Sequence, residues 1–382
     1  MFAFIGIGFS SLPQRNNAFK CLPPTRITRM KKSIVSLLMV SMLFGCAAPK
    51  PKVDISAEAK ALICTKPEAV SDEITLDLQN MGPQTVSMLR KKEYENLEKQ
   101  AADLRKSKEA YASGRWKLDT FYRSFSEHAH GKLKKEEFEE RIKMVKDWIQ
   151  ARPDDIASKV ALAGLYQKYA WHARGGGYAG TVKEEGWKLM AERNAVALRL
   201  LNELRAKPQH DPRMFYLLLQ VAKDESFDKP KYDEIFESSL KEFPTYRSSY
   251  FSKVLDLQPR WGGEDGEWEE FAKTEADKLK GVEGDKLYAQ LVWAVIYTGW
   301  YRGDNLFKIF KLDSQRALAG MAAIRKEYPK SFEALSANCS MAIQSGDYDL
   351  AAKLFQELEG QVAHYVWHGS KSFIYWRDQL LN

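Results

Sequence analysis

Two glycine-rich loops hold the residues whose types and spacing best suit binding chemistry. The first runs Arg174-Gly175-Gly176-Gly177-Tyr178-Ala179-Gly180-Thr181-Val182 and follows Tyr169, Trp171 and His172; the second is Pro259-Arg260-Trp261-Gly262-Gly263. An arginine beside consecutive backbone N–H groups can hold a carboxylate or a phosphate, the guanidinium by a two-pronged hydrogen bond and the amides as a nest. If the loops converge, Arg174 and Arg260 read an anionic group between walls made by Trp171 and Trp261. The same residues also suit tight connections. Glycine admits positive φ and close packing, Arg260 can lock its turn on an acidic side chain, and Trp261 fills apolar space. Gly175, Gly177 and Gly180 spell a literal G-x-G-x-x-G, but that motif needs a preceding strand, and Leu162, Leu165, Tyr166 and Tyr169 are spaced as a helix. A Walker loop fails too, because Thr181-Val182 stands where Lys-Ser/Thr is required. Thr181 and Glu184 read instead as a capping box that opens the next helix.

Other chemistry is sparse. His364 and His368 lie four apart, as two metal ligands on one helix face do, but Tyr365 stands where a zinc protease helix carries glutamate and no third ligand is identifiable. His128 and His130 flank a turn and read as solvated. There is no G-x-S-x-G, no C-x-x-C and no calcium loop, so no catalytic residue and no cofactor is assigned. Glu264-Asp265-Gly266-Glu267 lacks calcium-loop spacing and reads as a solvated helix start.

The leader is more specific. Lys31-Lys32 is a positive segment, Ile34 to Phe44 is an apolar run too short to span a bilayer, and Leu43-Phe44-Gly45-Cys46 follows. This order resembles the lipobox of bacterial lipoproteins, with a bulkier residue at Phe44 than is usual. The resemblance implies cleavage before Cys46 and acylation of its thiol, and two or three acyl chains anchor far better than one. Ala47, in place of the aspartate linked to inner-membrane retention, implies the outer membrane, facing the periplasm. The leader is thus 1–45, with the signal peptide at 30–45 and residues 1–29 a misassigned extension or a dispensable segment. Residues 46–54 are the lipidated cysteine and a Pro/Lys tether. With Cys21 removed and Cys46 acylated, Cys64 and Cys339 remain. They pair as a disulfide in an oxidising periplasm, or stay as two separate thiols.

Charge excludes a polyanion partner. The formal net charge is +7, but residues 1–45 hold six basic residues and no acidic one. Without them, 52 basic residues face 51 acidic ones, so the mature chain carries +1 and has no electrostatic case for nucleic acid.

The elements that must position these residues are helical. Residues 55–84 are weakly patterned and read as irregular with a short helix. From 85 to 382 apolar residues recur with helical period and no alternating run is long enough for a sheet. Helices are predicted near 85–110, 116–127, 134–152, 156–172, 183–206, 212–223, 231–243, 245–257, 266–280, 284–300, 314–328, 331–345, 347–358 and 366–381. Pro153, Pro208, Pro244 and Pro329 stop helices, and Asp211-Pro212 starts one. Short connections predict an all-α stack of antiparallel helical hairpins, an α-solenoid or a closed bundle. Gly346-Asp347-Tyr348 with Ala351 and Phe355 resembles a tetratricopeptide repeat. Most of the ten tryptophans should be hairpin core.

The two glycine loops and Tyr328-Pro329-Lys330-Ser331, in that order, resemble an uncharacterised bacterial family, domain of unknown function 4034, from about Leu89 to Trp376. The resemblance implies a helical repeat-like fold and no activity. The expected role is a membrane-anchored scaffold for an envelope protein or peptide; the competing expectation is an enzyme or small-anion receptor using Arg174 and Arg260. Intact-mass analysis of the mature protein should find an amino terminus at Cys46 carrying acyl groups. An unmodified terminus, or one that begins elsewhere, removes the anchor.

Overall fold

The computed structural model describes residues 68–298, 306–363, 366–367 and 370–381. The leader, Cys46, the tether, Cys64, His364 and His368 lie outside the described residues. Sixteen helices occur within them: α1 Glu73–Arg90, α2 Tyr94–Ser107, α3 Lys117–Ser126, α4 Lys135–Ala151, α5 Ile156–Arg174, α6 Glu184–Arg205, α7 Pro212–Asp224, α8 Lys229–Glu242, α9 Arg247–Asp256, α10 Glu267–Leu279, α11 Gly281–Ile296, α12 Leu306–Ile309, α13 Ser314–Glu327, α14 Phe332–Ser345, α15 Tyr348–Leu358 and α16 Ser370–Leu381. The protein is all-α, a stack of helical hairpins. None of the described helices is long and apolar enough to cross a membrane.

Local chemistry starts and stops these helices. Asp72, Asp155, Asp211, Asp228, Asp313, Ser331 and Asp347 each accept a backbone N–H in the first turn of the helix they precede. Caps of this kind contribute about 0.5–2 kcal/mol apiece. Pro153, Pro208, Pro244 and Pro329 all fall just beyond helix ends, and Pro212 occupies the first position of α7.

Burial divides the helices into two layers. In α3, α7 and α9 nearly every side chain is buried, polar ones included. The helices α2, α4, α6, α8 and α10 bury one stripe and leave the opposite face in water. Alternate helices pack on one another, α1 on α3, α3 on α5, α5 on α7, α7 on α9, and α9 on α11. Helices buried on all sides are a central layer, since only an outer layer can keep them dry. Six tryptophans (Trp116, Trp148, Trp268, Trp293, Trp367 and Trp376) are buried.

The ends of the stack are joined. The strand β1, Glu68–Val70, pairs in parallel with β2, Gln361–Ala363, in the register Ala69 to Val362. The Glu73 carboxylate, at the start of α1, accepts the backbone N–H groups of Phe332 and Glu333 at the start of α14. These contacts make the stack a closed one. Glu333 is itself buried at this seam, and burial first, then Asp72 and Glu73, push its pKa well above the usual carboxylate range.

The N-terminal part departs from expectation. Residues 73–84 belong to a full helix, and the predicted helix at 85–110 is two helices, α1 and α2. Ile74, Leu78, Val86 and Leu89 lie on the buried face of α1, but Gly82-Pro83 interrupts the apolar stripe in the sequence. The break at Lys91-Lys92-Glu93 has no proline to announce it, and Lys92 turns the chain at φ 59°. Thr181 does not cap α6 either. Its hydroxyl donates to the Tyr178 carbonyl at 2.7 Å, and Lys183 occupies the N-cap position with no side-chain cap.

The Gly346 turn behaves as the repeat-like pattern implied. Gly346 has φ 82°, Asp347 caps α15, and Ala351 and Phe355 are buried against α14. Cys339 is buried there as a free cysteine among the described residues, its thiol directed at the Ala351 carbonyl 3.7 Å away.

A polar hub sits inside the inner layer. Asp119 on α3 is buried and accepts from Arg213 on α7 at 3.1 Å, from Ser248 on α9, and from Tyr246 just before it. Burial alone would raise the Asp119 pKa, but the Arg213 guanidinium and the two hydroxyls hold it below the usual value. Two residues before Arg213, Asp211 caps α7 and also accepts from Arg105 at 2.7 Å and Tyr122 at 2.7 Å. Breaking such a buried pair costs about 3–5 kcal/mol, because the surviving charge stays in low dielectric. Asp119→Ala should therefore lose about 3–5 kcal/mol in urea unfolding. A loss under about 1 kcal/mol would mean that α3, α7 and α9 are held by apolar packing alone.

Candidate functional site

Both glycine loops close a helix and reverse the chain. In the first, Gly175 ends α5 at φ 76°, which a side chain would strain. In the second, a Cβ on Gly263 would stand 2.0 Å from the Leu257 carbonyl oxygen, so only glycine lets the backbones meet. A helix precedes the first loop, as its spacing predicted, which leaves no strand for a dinucleotide site.

Arg174 is committed to its own loop. Its Nη1 donates to the Gly175 and Gly177 carbonyls, both at 3.0 Å. The guanidinium lies between two rings, 5.0 Å from the centre of Trp171 and 4.8 Å from that of Trp187. Stacking of this kind fixes a guanidinium in one plane. Arg260 likewise lies 5.6 Å from the ring centre of its own Trp261.

The loops are connected through α7. Trp171 Nε1 donates to Asp224 at 2.9 Å, and Gln167 Nε2 donates to the same oxygen at 3.1 Å. The neighbouring Lys223 places Nζ 4.9 Å from the ring centre of Trp261. The tryptophans of both motifs thus reach the last turn of α7. Burial raises the Asp224 pKa to about 6, against the pull of Lys223 and the two hydrogen bonds. Burial lowers Lys223 in turn. An acid at the end of a helix opposes the helix dipole, and that misplacement was a readable signal in the sequence.

A second feature has no counterpart in the motifs. Helices α1, α3 and α4 enclose a cleft of about 410 Å³, within the roughly 300–1,000 Å³ range of ligand clefts. Leu78, Gly82, Pro83 and Val86 of α1 form its apolar wall, and Ser124, Glu127, His128, Glu137 and Arg141 face them. His128 Nε2 pairs with Glu137 Oε1 at 2.8 Å, and Gln79 bonds His130. Glu127 is held below its usual pKa, to about 2, where Arg123 and Lys168 outweigh its burial. Sequence reading missed Arg141, yet the signal was there. It falls on the same buried stripe of α4 as Phe138, Ile142, Val145 and Trp148, where a charge needs a reason.

Among the described residues, no group of three His, Cys, Asp or Glu is arranged to hold a metal ion. No family model, curated protein or solved structure matches the chain.

The Asp224 environment has a pH consequence. Its folded-state pKa is raised, so it favours folding in the neutral form, and that contribution fades as pH rises through about 6. Asp224→Asn keeps an acceptor for Trp171 and Gln167 and cannot ionise. The variant should melt higher than the parent near neutral pH, with the gap closing below about pH 4. Parallel melting curves across that range would show the carboxyl to be solvated.

Proposed function

We propose that the chain is a bacterial lipoprotein, held by acyl groups on Cys46 at the periplasmic face of the outer membrane, whose helical body is a scaffold for a protein or peptide of the envelope. The resemblance to the domain of unknown function 4034 family is part of this proposal and adds no activity to it. The observation that carries the scaffold reading is the division of labour between the loops and the cleft. Arg174 of the first glycine motif donates to its own loop carbonyls, whereas the cleft among α1, α3 and α4 is open and mixes an apolar wall with charged groups. Hairpin stacks bind chains on such surfaces and need no nucleophile or metal to do so.

A second reading, a small-anion receptor or enzyme built on Arg174 and Arg260, draws support from the meeting of both loops at Lys223 and Asp224. The two readings predict different sensitivities. A photocrosslinker at Ala129, at the cleft, should capture a defined envelope partner in cells, while one at Lys353 on α15 should not. Arg174→Ala with Arg260→Ala should leave that capture unchanged. Equal capture from both positions would remove the cleft from the proposal, and loss of capture in the double variant, with its melting temperature intact, would favour the loop site. Cys46→Ser should move the protein out of the membrane fraction; continued co-sedimentation would sink the anchor.

A further inference from the structure

Arg141 is the anomaly of the cleft. Its residue surface is 6 % exposed, and its Nη1 donates to the Ser124 and Phe125 carbonyls at 3.2 and 2.9 Å. Those carbonyls are the end of α3, so the arginine covers a negative helix terminus. What it lacks is a carboxylate in contact, since Glu137 and Glu140 attract it only from beyond ion-pair distance. No described carboxylate comes within 4.0 Å of it, and no hydrogen bond to its Nε or Nη2 exists among the described residues. A buried guanidinium normally pairs with an acid, because its desolvation is otherwise uncompensated.

The acids nearby are already engaged. Glu137, one turn back on α4, accepts from His128 and from the Lys134 backbone N–H. Glu140 pairs with Arg90 at 3.2 Å. Glu127 is shared by Arg123 and Lys168. Arg141 is therefore left with no carboxylate in contact, in a cleft that Glu127 and Glu137 also line and whose apolar wall is Leu78, Pro83 and Val86. The wall adds a further feature. Pro83 has no N–H to give the Gln79 carbonyl, so the helix bonding of α1 is incomplete where both residues line the cleft.

We infer that this cleft binds an apolar chain ending in a carboxylate, with Arg141 as its counter-charge, and that the ligand is the C-terminus of a polypeptide whose last side chain packs on Leu78, Pro83 and Val86. The inference rests on the reading of the cleft as a peptide site and names what that site recognises. The free carboxylate supplies the missing acceptor for Arg141, and a two-pronged pair is the geometry guanidinium favours. Arg90, paired with Glu140, flanks the cleft.

The test uses the full chain in detergent micelles and a pool of N-acetylated tetrapeptides ending in Leu, Ile, Val or Phe, with free or amidated C-termini. The free acids should bind at least about tenfold more tightly than the amides, the discrimination one charged hydrogen-bonded pair provides. Arg141→Gln should abolish the discrimination. Because that change also uncaps α3, Ala129→Trp serves as a second variant; it fills the cleft mouth from a loop, leaves every charge in place, and should abolish binding of both forms. Equal binding of acids and amides, lost in Ala129→Trp, would overturn the carboxylate inference while leaving the peptide site standing. No binding of either form would overturn both. A free branched acid such as 4-methylpentanoate that competes as well as the peptides at equal concentration would overturn the polypeptide source.

Discussion

The fold depends on keeping one carboxylate and one guanidinium dry. Asp119 and Arg213 lie where α3, α7 and α9 meet, and each would be costly there without the other. Tyr246 and Ser248 supply the hydrogen bonds that make the pair tolerable. The arrangement also specifies register. Apolar packing among three buried helices admits many rotations, but only one places Asp119 against Arg213, and Asp211 against Arg105 and Tyr122 at the same time. Asp211 acts locally as the cap of α7 and at long range as the partner of α2 and α3. Local and tertiary demands agree at that residue, which is the consistency that singles out one structure.

From this centre the stack grows outward and then closes. The outer helices need only one apolar stripe because the inner layer takes the other side of their burial. Closure comes from modest elements: three residue pairs of parallel strand and one glutamate lying across the first amides of α14. Glu73 at that position meets both an orphan amide pair and the positive end of the helix dipole. The turn between α2 and α3 contributes as well. Its Ala112 carbonyl accepts from Gln290 on α11, and Arg115 lies 4.9 Å from the ring centre of Phe251 on α9.

The glycine loops and the cleft show two uses of arginine. Arg174 donates to the carbonyls next to it in the chain, and Trp171 of the same motif ties α5 to α7. Arg141 sits in an unremarkable helical sequence and is satisfied only in part. A glycine cluster marks backbone geometry first and ligands only in some folds. A buried guanidinium within a helix is the quieter signal, since a charge is rarely buried without a partner to compensate it.

Most of the helices were legible in the residues themselves. Aspartate and serine caps, prolines two or three residues past several ends, and apolar spacing of three and four are local signals, and local energetics decide where a helix begins and stops. The hairpin at Gly346 was legible for the same reason. Where local signals conflict, tertiary structure decided. Gly82-Pro83 breaks the pattern of α1, yet the helix continues because its remaining apolar face packs on α3. The pairing of β1 with β2, the hub around Asp119 and the meeting of both tryptophan loops at α7 join residues far apart in the chain. Periodicity says which face of a helix is buried, but it does not say against what, and all of these features are answers to that second question.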